Sequence, residues 1–171
     1  MLYTILVFSE NKPGVLYRIA DLFLRRRINI ESLTVSEVGD NKLSRFTITV
    51  KAEGALVEKI VKQIYRIIEV VKVIDAVDSQ LIFNEVALIK VSTNSPQKRK
   101  EVNEIVKLSG AKIIHFTKTD ATISLAGNPE DIDSLKDVCS SYGVKEFVRS
   151  GRIALVKGMM ADRKNVLSMA K

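Results

Sequence analysis

The residues of this chain best suited to chemistry gather in two short stretches, Glu10-Asn11-Lys12-Pro13-Gly14-Val15-Leu16 and Asn29-Ile30-Glu31-Ser32-Leu33. The chemistry they suggest is ligand binding. Asn11 to Gly14 combine a polar turn residue, a helix-starting proline and a glycine, directly after the apolar run Ile5-Leu6-Val7-Phe8, which reads as a buried strand. Proline is tolerated in a first helical turn because the N–H it lacks would have no intrahelical partner. A helix start carries roughly half a positive charge and N–H groups without partners, so the α-carboxylate of a free amino acid is a natural ligand there. Gly14, having no side chain, lets such a ligand come close to the backbone. On these seven residues alone, the plainer reading is an ordinary strand-to-helix loop in which Asn11 makes a local turn. Asn29 reads equally well as a polar connector between helix and strand.

Bond-making chemistry has no comparable candidates. His115 is the only histidine, which excludes a histidine-based metal cluster, and its place in a predicted hairpin strand suits a structural role. Cys139, the only cysteine, cannot form an intramolecular disulfide and falls on the apolar face of a predicted helix, as a small core residue. The chain lacks a Gly-x-Gly-x-x-Gly turn, a phosphate loop, a Cys-x-x-Cys pair and a Gly-x-Ser-x-Gly elbow. Asp21, Asp40 and Asp120 are scattered through helices and turns without a spacing that pairs them.

Two strand-and-helix units must position the binding stretches. In the first, Leu2–Ser9 reads as a strand and Val15, Leu16, Ile19, Leu22 and Phe23 as a helical stripe. Ile30–Val38 and the alternating Phe46, Ile48 and Val50 flank a turn at Gly39-Asp40-Asn41. Leu56 through Ile68 keep a helical stripe, and Val70–Ile74 closes a fourth strand. After a polar joint at Asp78-Ser79-Gln80 the same order returns. Strands are predicted at 86–91, 111–117, 121–126 and 144–156, with helices opened by Pro96 and by Asn128-Pro129-Glu130-Asp131. The expected fold is α+β: two tandem ferredoxin-like βαββαβ domains, each an antiparallel four-stranded sheet with two helices on one face. The boundaries read 1–78, a linker at 79–84, a second domain at 85–158 and a tail at 159–171.

Composition bounds the function classes. The chain has 171 residues, 46% hydrophobic and 27% charged, as a folded globular protein does. No apolar run approaches the ~20 residues of a membrane-spanning helix and the start lacks a basic secretory signal, so a cytoplasmic location is the expectation. The net charge of +7 raises the possibility of nucleic-acid binding. However, Arg25-Arg26-Arg27 ends the first predicted helix, where cations complement the helix dipole. Lys98-Arg99-Lys100, near a helix start, has weaker structural cover and reads as a solvated face or a partner-facing patch. Leu43-Ser44-Arg45-Phe46-Thr47-Ile48-Thr49 lacks the glycine-aromatic core of an RNA-binding strand, and aromatics are 6% overall.

Asn11-Lys12-Pro13-Gly14-Val15-Leu16, Asn29-Ile30-Glu31-Ser32-Leu33-Thr34-Val35, Leu43-Ser44-Arg45, Glu85 through Val91 and Arg149-Ser150-Gly151 together resemble the small regulatory subunits of acetolactate synthase, over nearly the whole chain. The resemblance implies an N-terminal ACT domain that senses amino acids, a ferredoxin-like C-terminal domain, and a homodimer through the ACT domains. It implies a branched-chain amino acid effector, most often valine. Asn11, Pro13, Gly14, Val15 and Leu16 of one subunit, with Asn29 and Ile30 from the other, would form the site. It also implies a large catalytic subunit as partner, carrying thiamine diphosphate, magnesium and FAD; this chain would have no catalytic residues and bind no metal or cofactor. Neither a membrane nor nucleic acid is an expected partner. The competing reading from a different class is a free-standing ACT-type amino-acid sensor or transcriptional co-regulator.

One residue departs from the family pattern. Arg27 stands before Ile28-Asn29 where these proteins usually have glycine, and a left-handed backbone there would cost a residue with a Cβ roughly 1 kcal/mol.

Overall fold

The computed structural model describes residues 1–39 and 42–158. The first half runs β1 (Leu2–Glu10), α1 (Val15–Leu24), β2 (Ile30–Val38), β3 (Leu43–Lys51), α2 (Gly54–Ile64) and β4 (Val70–Ala76). A short 3-10 turn at Asp78–Gln80 leads into β5 (Leu81–Ser92). Then follow α3 (Pro96–Ser109), β6 (Lys112–Phe116), β7 (Asp120–Gly127), α4 (Pro129–Ser140), β8 (Val144–Arg149) and β9 (Ile153–Val156). The first sheet is antiparallel in the order β2-β3-β1-β4. The second has β6-β7-β5-β8, with β9 also paired to β5. Both are the ferredoxin-like arrangement that the element order predicts.

Each half has its own core, built the same way. In the first, Ile5 and Val7 of β1 and Phe46, Ile48 and Val50 of β3 alternate toward Val15, Ile19 and Phe23 of α1 and Val57, Ile60 and Ile64 of α2. In the second, Ala87, Ile89 and Val91 face Ala121, Ile123 and Leu125, under Val102 and Val106 of α3 and Ile132, Leu135 and Cys139 of α4. Period-two strands and three-to-four-residue helical stripes are the patterns that bury one face of each element. Burial pushes the Cys139 thiol pKa up, as suits a core cysteine.

The chain divides into two compact units, residues 1–82 with the described residues from Arg152 onward, and residues 83–151. The sequence reading set a linker at 79–84 and continued the second domain to 158. In the structure that stretch is the 3-10 turn and the start of β5. Residues 152–158 group with the first unit: Lys157 N–H donates to the Gln80 carbonyl at 2.8 Å, and the Arg45 guanidinium to the Ala154 carbonyl. Arg152, buried, reaches Asp78 Oδ1 at 2.7 Å and Thr4 Oγ1 at 3.4 Å. Thr4, Leu6 and Thr47, on the face of the first sheet away from its helices, are buried as well.

Two other boundaries differ from expectation, and one predicted helix cap is in place without its side-chain bond. The predicted strand 144–156 is two strands, interrupted where Ser150 Oγ accepts from Val86 N–H and the Ser150 N–H donates to the Val86 carbonyl. The helix expected through Ile68 stops at Ile64; Ile67 still packs on the core, whereas Ile68 is exposed. Asn128 occupies the N-cap of α4 without a side-chain capping bond, while Pro129, Glu130 and Asp131 fill its first turn. Gly39 has the left-handed φ of 71° expected of the hairpin turn, whose Asp40 and Asn41 lie outside the described residues, as does the tail at 159–171.

Candidate functional site

The turn after β1 is held at both edges by backbone bonds, Glu10 N–H to Glu69 O at 2.8 Å and Asn11 N–H to Lys42 O at 2.9 Å. Gly14 then takes φ 86° at the N-cap, so α1 begins at Val15. Pro13 therefore lies outside the helix and stiffens the turn, two residues before the first helical residue and not in the first helical turn where the sequence reading places it. A Cβ on Gly14 would meet no atom within 4 Å. Conformation, not crowding, requires glycine here, and the space beside the backbone is open. No side chain caps this N-terminus; the Val15 N–H donates to the Lys12 carbonyl at 3.5 Å, and the next N–H groups of the first turn, those of Leu16 and Tyr17, have no intrahelical partner. Val15 is buried in the core and can reach a ligand only through its backbone, whereas Leu16 is exposed.

The Asn11 amide has defined partners. Its Nδ2 donates to Glu37 Oε1 at 2.7 Å, and its Oδ1 accepts from Ser44 Oγ at 3.0 Å. An ionised carboxylate only accepts, so the amide nitrogen must be the atom facing Glu37. Around this turn the charges are paired: Lys12 with Glu10 at 2.5 Å, and Arg18, one turn into α1, with Glu69 at 2.6 Å. The Glu10 carboxylate holds the Lys12 ammonium above its usual range, and the Arg18 bond holds the Glu69 carboxyl below its own.

Asn29 and Ile30 lie elsewhere. Helix α1 closes with a Schellman motif in which Arg27 N–H donates to Leu24 O and Ile28 N–H to Phe23 O. The residue between, Arg27, has φ 54°, the one positive φ outside glycine among the described residues. The left-handed backbone anticipated at that position is present, carried by arginine. Arg25 pairs with Asp21 at 2.7 Å, and Arg26 donates to the Leu22 carbonyl at 3.2 Å, so two of the three arginines serve the helix end. Asn29 is exposed and Ile30 is half-buried against the core.

Strand register separates the two stretches. Ile30 pairs with Val50, opposite Tyr3, whereas Val38 pairs with Leu43, opposite Glu10. From Leu43 to Val50 is seven residues of strand, roughly 24 Å at ~3.4 Å each. Within one chain, Asn11 and Asn29 therefore stand at opposite ends of the sheet.

Glu37 and Ser44 hold the Asn11 amide and escaped the sequence reading. Ser44 is the middle of the Leu43-Ser44-Arg45 triplet, which gave the only signal; Glu37 gave none. Arg45 carries a different duty: besides holding the Ala154 carbonyl it lies over the Phe8 ring, 5.2 Å from the centroid. The basic triplet in the second unit is also partly committed, since Arg99 donates to the Thr93 carbonyl at 3.0 Å and lies 5.7 Å over Phe116. His115, expected to be structural, is exposed on β6. Among the described residues no group of three or more His, Cys, Asp or Glu side chains gathers as a metal site would, and no helix is long and apolar enough to cross a membrane.

A ferredoxin-like unit whose first strand runs through a Pro-Gly turn into its first helix is the architecture of ACT-type regulatory proteins, and the comparisons agree. Residues 5–72 match the model of the acetohydroxyacid synthase small subunit-like ACT domain, and residues 84–158 that of the small subunit of acetolactate synthase. The chain is 39% identical over 158 residues to a probable acetolactate synthase small subunit of Archaeoglobus fulgidus, covering 92% of this chain and 98% of the relative. It is 36% identical to the acetolactate synthase small subunit of Mycolicibacterium smegmatis, covering 91% of each. The crystal structure of the acetolactate synthase small subunit from Thermotoga maritima superposes with a TM-score of 0.83 at 32% identity, covering 92% of this chain and 98% of that one. The chain belongs to the acetolactate synthase small-subunit family.

Proposed function

We propose that this chain is the non-catalytic regulatory subunit of an acetolactate synthase, raising the activity of a large catalytic subunit and making it sensitive to feedback by a branched-chain amino acid, valine first among them. Thiamine diphosphate, magnesium and FAD belong to the large subunit in this reading, and the chain contributes no catalytic group or cofactor site of its own. The working compartment is the cytoplasm.

The observation that carries the effector site is the separation of Asn11 from Asn29 along an edge strand. β2 is the outer strand of its sheet, and its exposed Leu33 and Val35 leave apolar surface beside α1. A second copy pairing antiparallel along β2 about a two-fold axis near Thr34 sets the Ile30 end of one strand against the Val38 end of the other. Asn29 and Ile30 of one copy then approach the Asn11–Gly14 turn of its partner. The uncapped start of α1 offers N–H donors to the effector carboxylate, and Leu16, Val35 and the second copy's Ile30 offer apolar surface to a branched side chain. A ligand held between copies contacts differently assembled states differently, which is what shifts an equilibrium.

Acetolactate production by the large subunit encoded in the same genome, with and without this chain and across a valine titration, tests the reading. Activation reversed by valine is expected. Activation that valine does not reverse removes the effector site and keeps the partnership; no effect on activity removes both and favours a free-standing sensor.

A further inference from the structure

We propose that Glu37 recognises the ammonium group of the amino-acid effector and makes the site selective for the zwitterion over the corresponding acid without an amine. The inference rests on the effector site proposed above and adds to it a residue and a chemical discrimination.

A free amino acid presents opposite charges about two bonds apart, so a site that selects it needs donors and acceptors side by side. Backbone N–H groups at the start of α1 are donors only. Asn11, which could have supplied both, has its amide nitrogen turned to Glu37 Oε1 at 2.7 Å and its oxygen toward Ser44 Oγ at 3.0 Å. The nitrogen therefore faces a carboxylate of the same chain, and the oxygen, already accepting from the nearly buried Ser44, is the weaker acceptor of the two groups.

Glu37 is the stronger one. It is exposed on β2, opposite Ser44 in the β2–β3 register, and Ser44 precedes Arg45 and alternates with Phe46 and Ile48 toward the helices. Glu37 thus shares the helix-bearing side of the sheet with Leu33 and Val35, at the end from which α1 departs. The nearby Lys12 ammonium is taken up by Glu10. A carboxylate that already accepts from Asn11 has lone pairs for an alkylammonium, and a charge-assisted N–H···O bond is roughly twice as strong as a neutral one. An effector with its carboxylate at the helix start and its amine at Glu37 lies along the Asn11 amide, with its side chain toward Val35 and the second copy.

Titration calorimetry of the full chain with L-valine and with 3-methylbutanoate, which has valine's carbon branch without the amine, reads this directly. Wild type, Glu37→Gln and Asn11→Ala are compared after thermal melts confirm that each is folded. Glu37→Gln is expected to raise the Kd for valine by roughly tenfold or more, and that for 3-methylbutanoate by less than about threefold. Equal weakening of both ligands would mean that Glu37 only holds Asn11, and would overturn the proposal. So would unchanged valine binding in Glu37→Gln alongside its loss in Asn11→Ala, an outcome that leaves the effector site standing. If wild type binds neither valine, leucine nor isoleucine, the effector reading falls and the Glu37 role with it.

Discussion

Ser44 and Asn11, 33 positions apart, are joined by a 3.0 Å hydrogen bond in which the hydroxyl donates to Oδ1. Ser44 is nearly buried on β3 and Asn11 exposed in the turn before α1, so the bond fixes a surface amide from inside the sheet. Ser44→Ala is expected to cost about 1 kcal/mol of stability and to weaken valine inhibition without abolishing it, because Glu37 still holds the other side of the amide. Urea unfolding and inhibition curves for the same variant measure the two effects.

Arg27 gives a prediction of opposite sign. At φ 54° its Cβ is crowded by the backbone in a way glycine avoids. Arg27→Gly should therefore stabilise by up to about 1 kcal/mol, since the Schellman bonds need no side chain. Calorimetry should show a higher Tm; a lower one would mean that the guanidinium contributes more than the strain removes.

Gly54 opens α2 beside the Tyr3 hydroxyl, and a Cβ added there would lie 2.8 Å from the Tyr3 hydroxyl oxygen but 3.7 Å from the carbon bearing it. The conflict is with one atom. Alanine is otherwise favoured over glycine in a helix by up to roughly 1 kcal/mol. Gly54→Ala should be more favourable in a Tyr3→Phe background than in wild type, and a double-mutant cycle by denaturant titration returns the coupling.

The Arg18–Glu69 pair predicts a pH dependence. The Glu69 carboxyl is held below its ordinary range by the Arg18 hydrogen bond, so its contribution is complete above the ordinary carboxylate pKa and is lost as pH falls through the lowered value. Arg18→Ala should therefore melt below wild type at pH 7, and the gap should close on acidification toward pH ~3. A gap that stayed constant with pH would assign the loss to packing of the Arg18 stem.

Local patterns made the two βαββαβ orders legible, because each depends on neighbours in sequence: Phe46, Ile48 and Val50 alternate, and Val15, Ile19 and Phe23 recur every turn. The left-handed residue at the end of α1 was legible for the same reason, since it lies next to the helix it closes. What escaped was set by distant partners. Glu37 reaches Asn11 across 26 positions, and Arg152 reaches Thr4 across 148. The break between β8 and β9 falls at Ser150-Gly151, a turn-type pair that the apolar residues on either side mask in the stretch 144–156, and it is fixed by Ser150 bonding to Val86. The start of α1 lies two residues beyond Pro13 because Pro13 and Gly14 fit both a first helical turn and the turn before it, and only the backbone angle of Gly14 separates these.

The return of residues 152–158 to the first unit changes what counts as a removable part. Genetically, residues 83–151 are an insert with two seams, and a single stop codon after Gln80 does not cut along either. Such a truncation would strip the ACT unit of Arg152 and the Ala154 carbonyl, leaving the Arg45 guanidinium without that acceptor and Asp78 without its ion pair. Recombination could exchange the second unit between relatives only by two crossovers, one near each seam. The first unit alone is accordingly made by joining residue 82 to residue 152 through a short linker, with the stretches on both sides of the second unit kept.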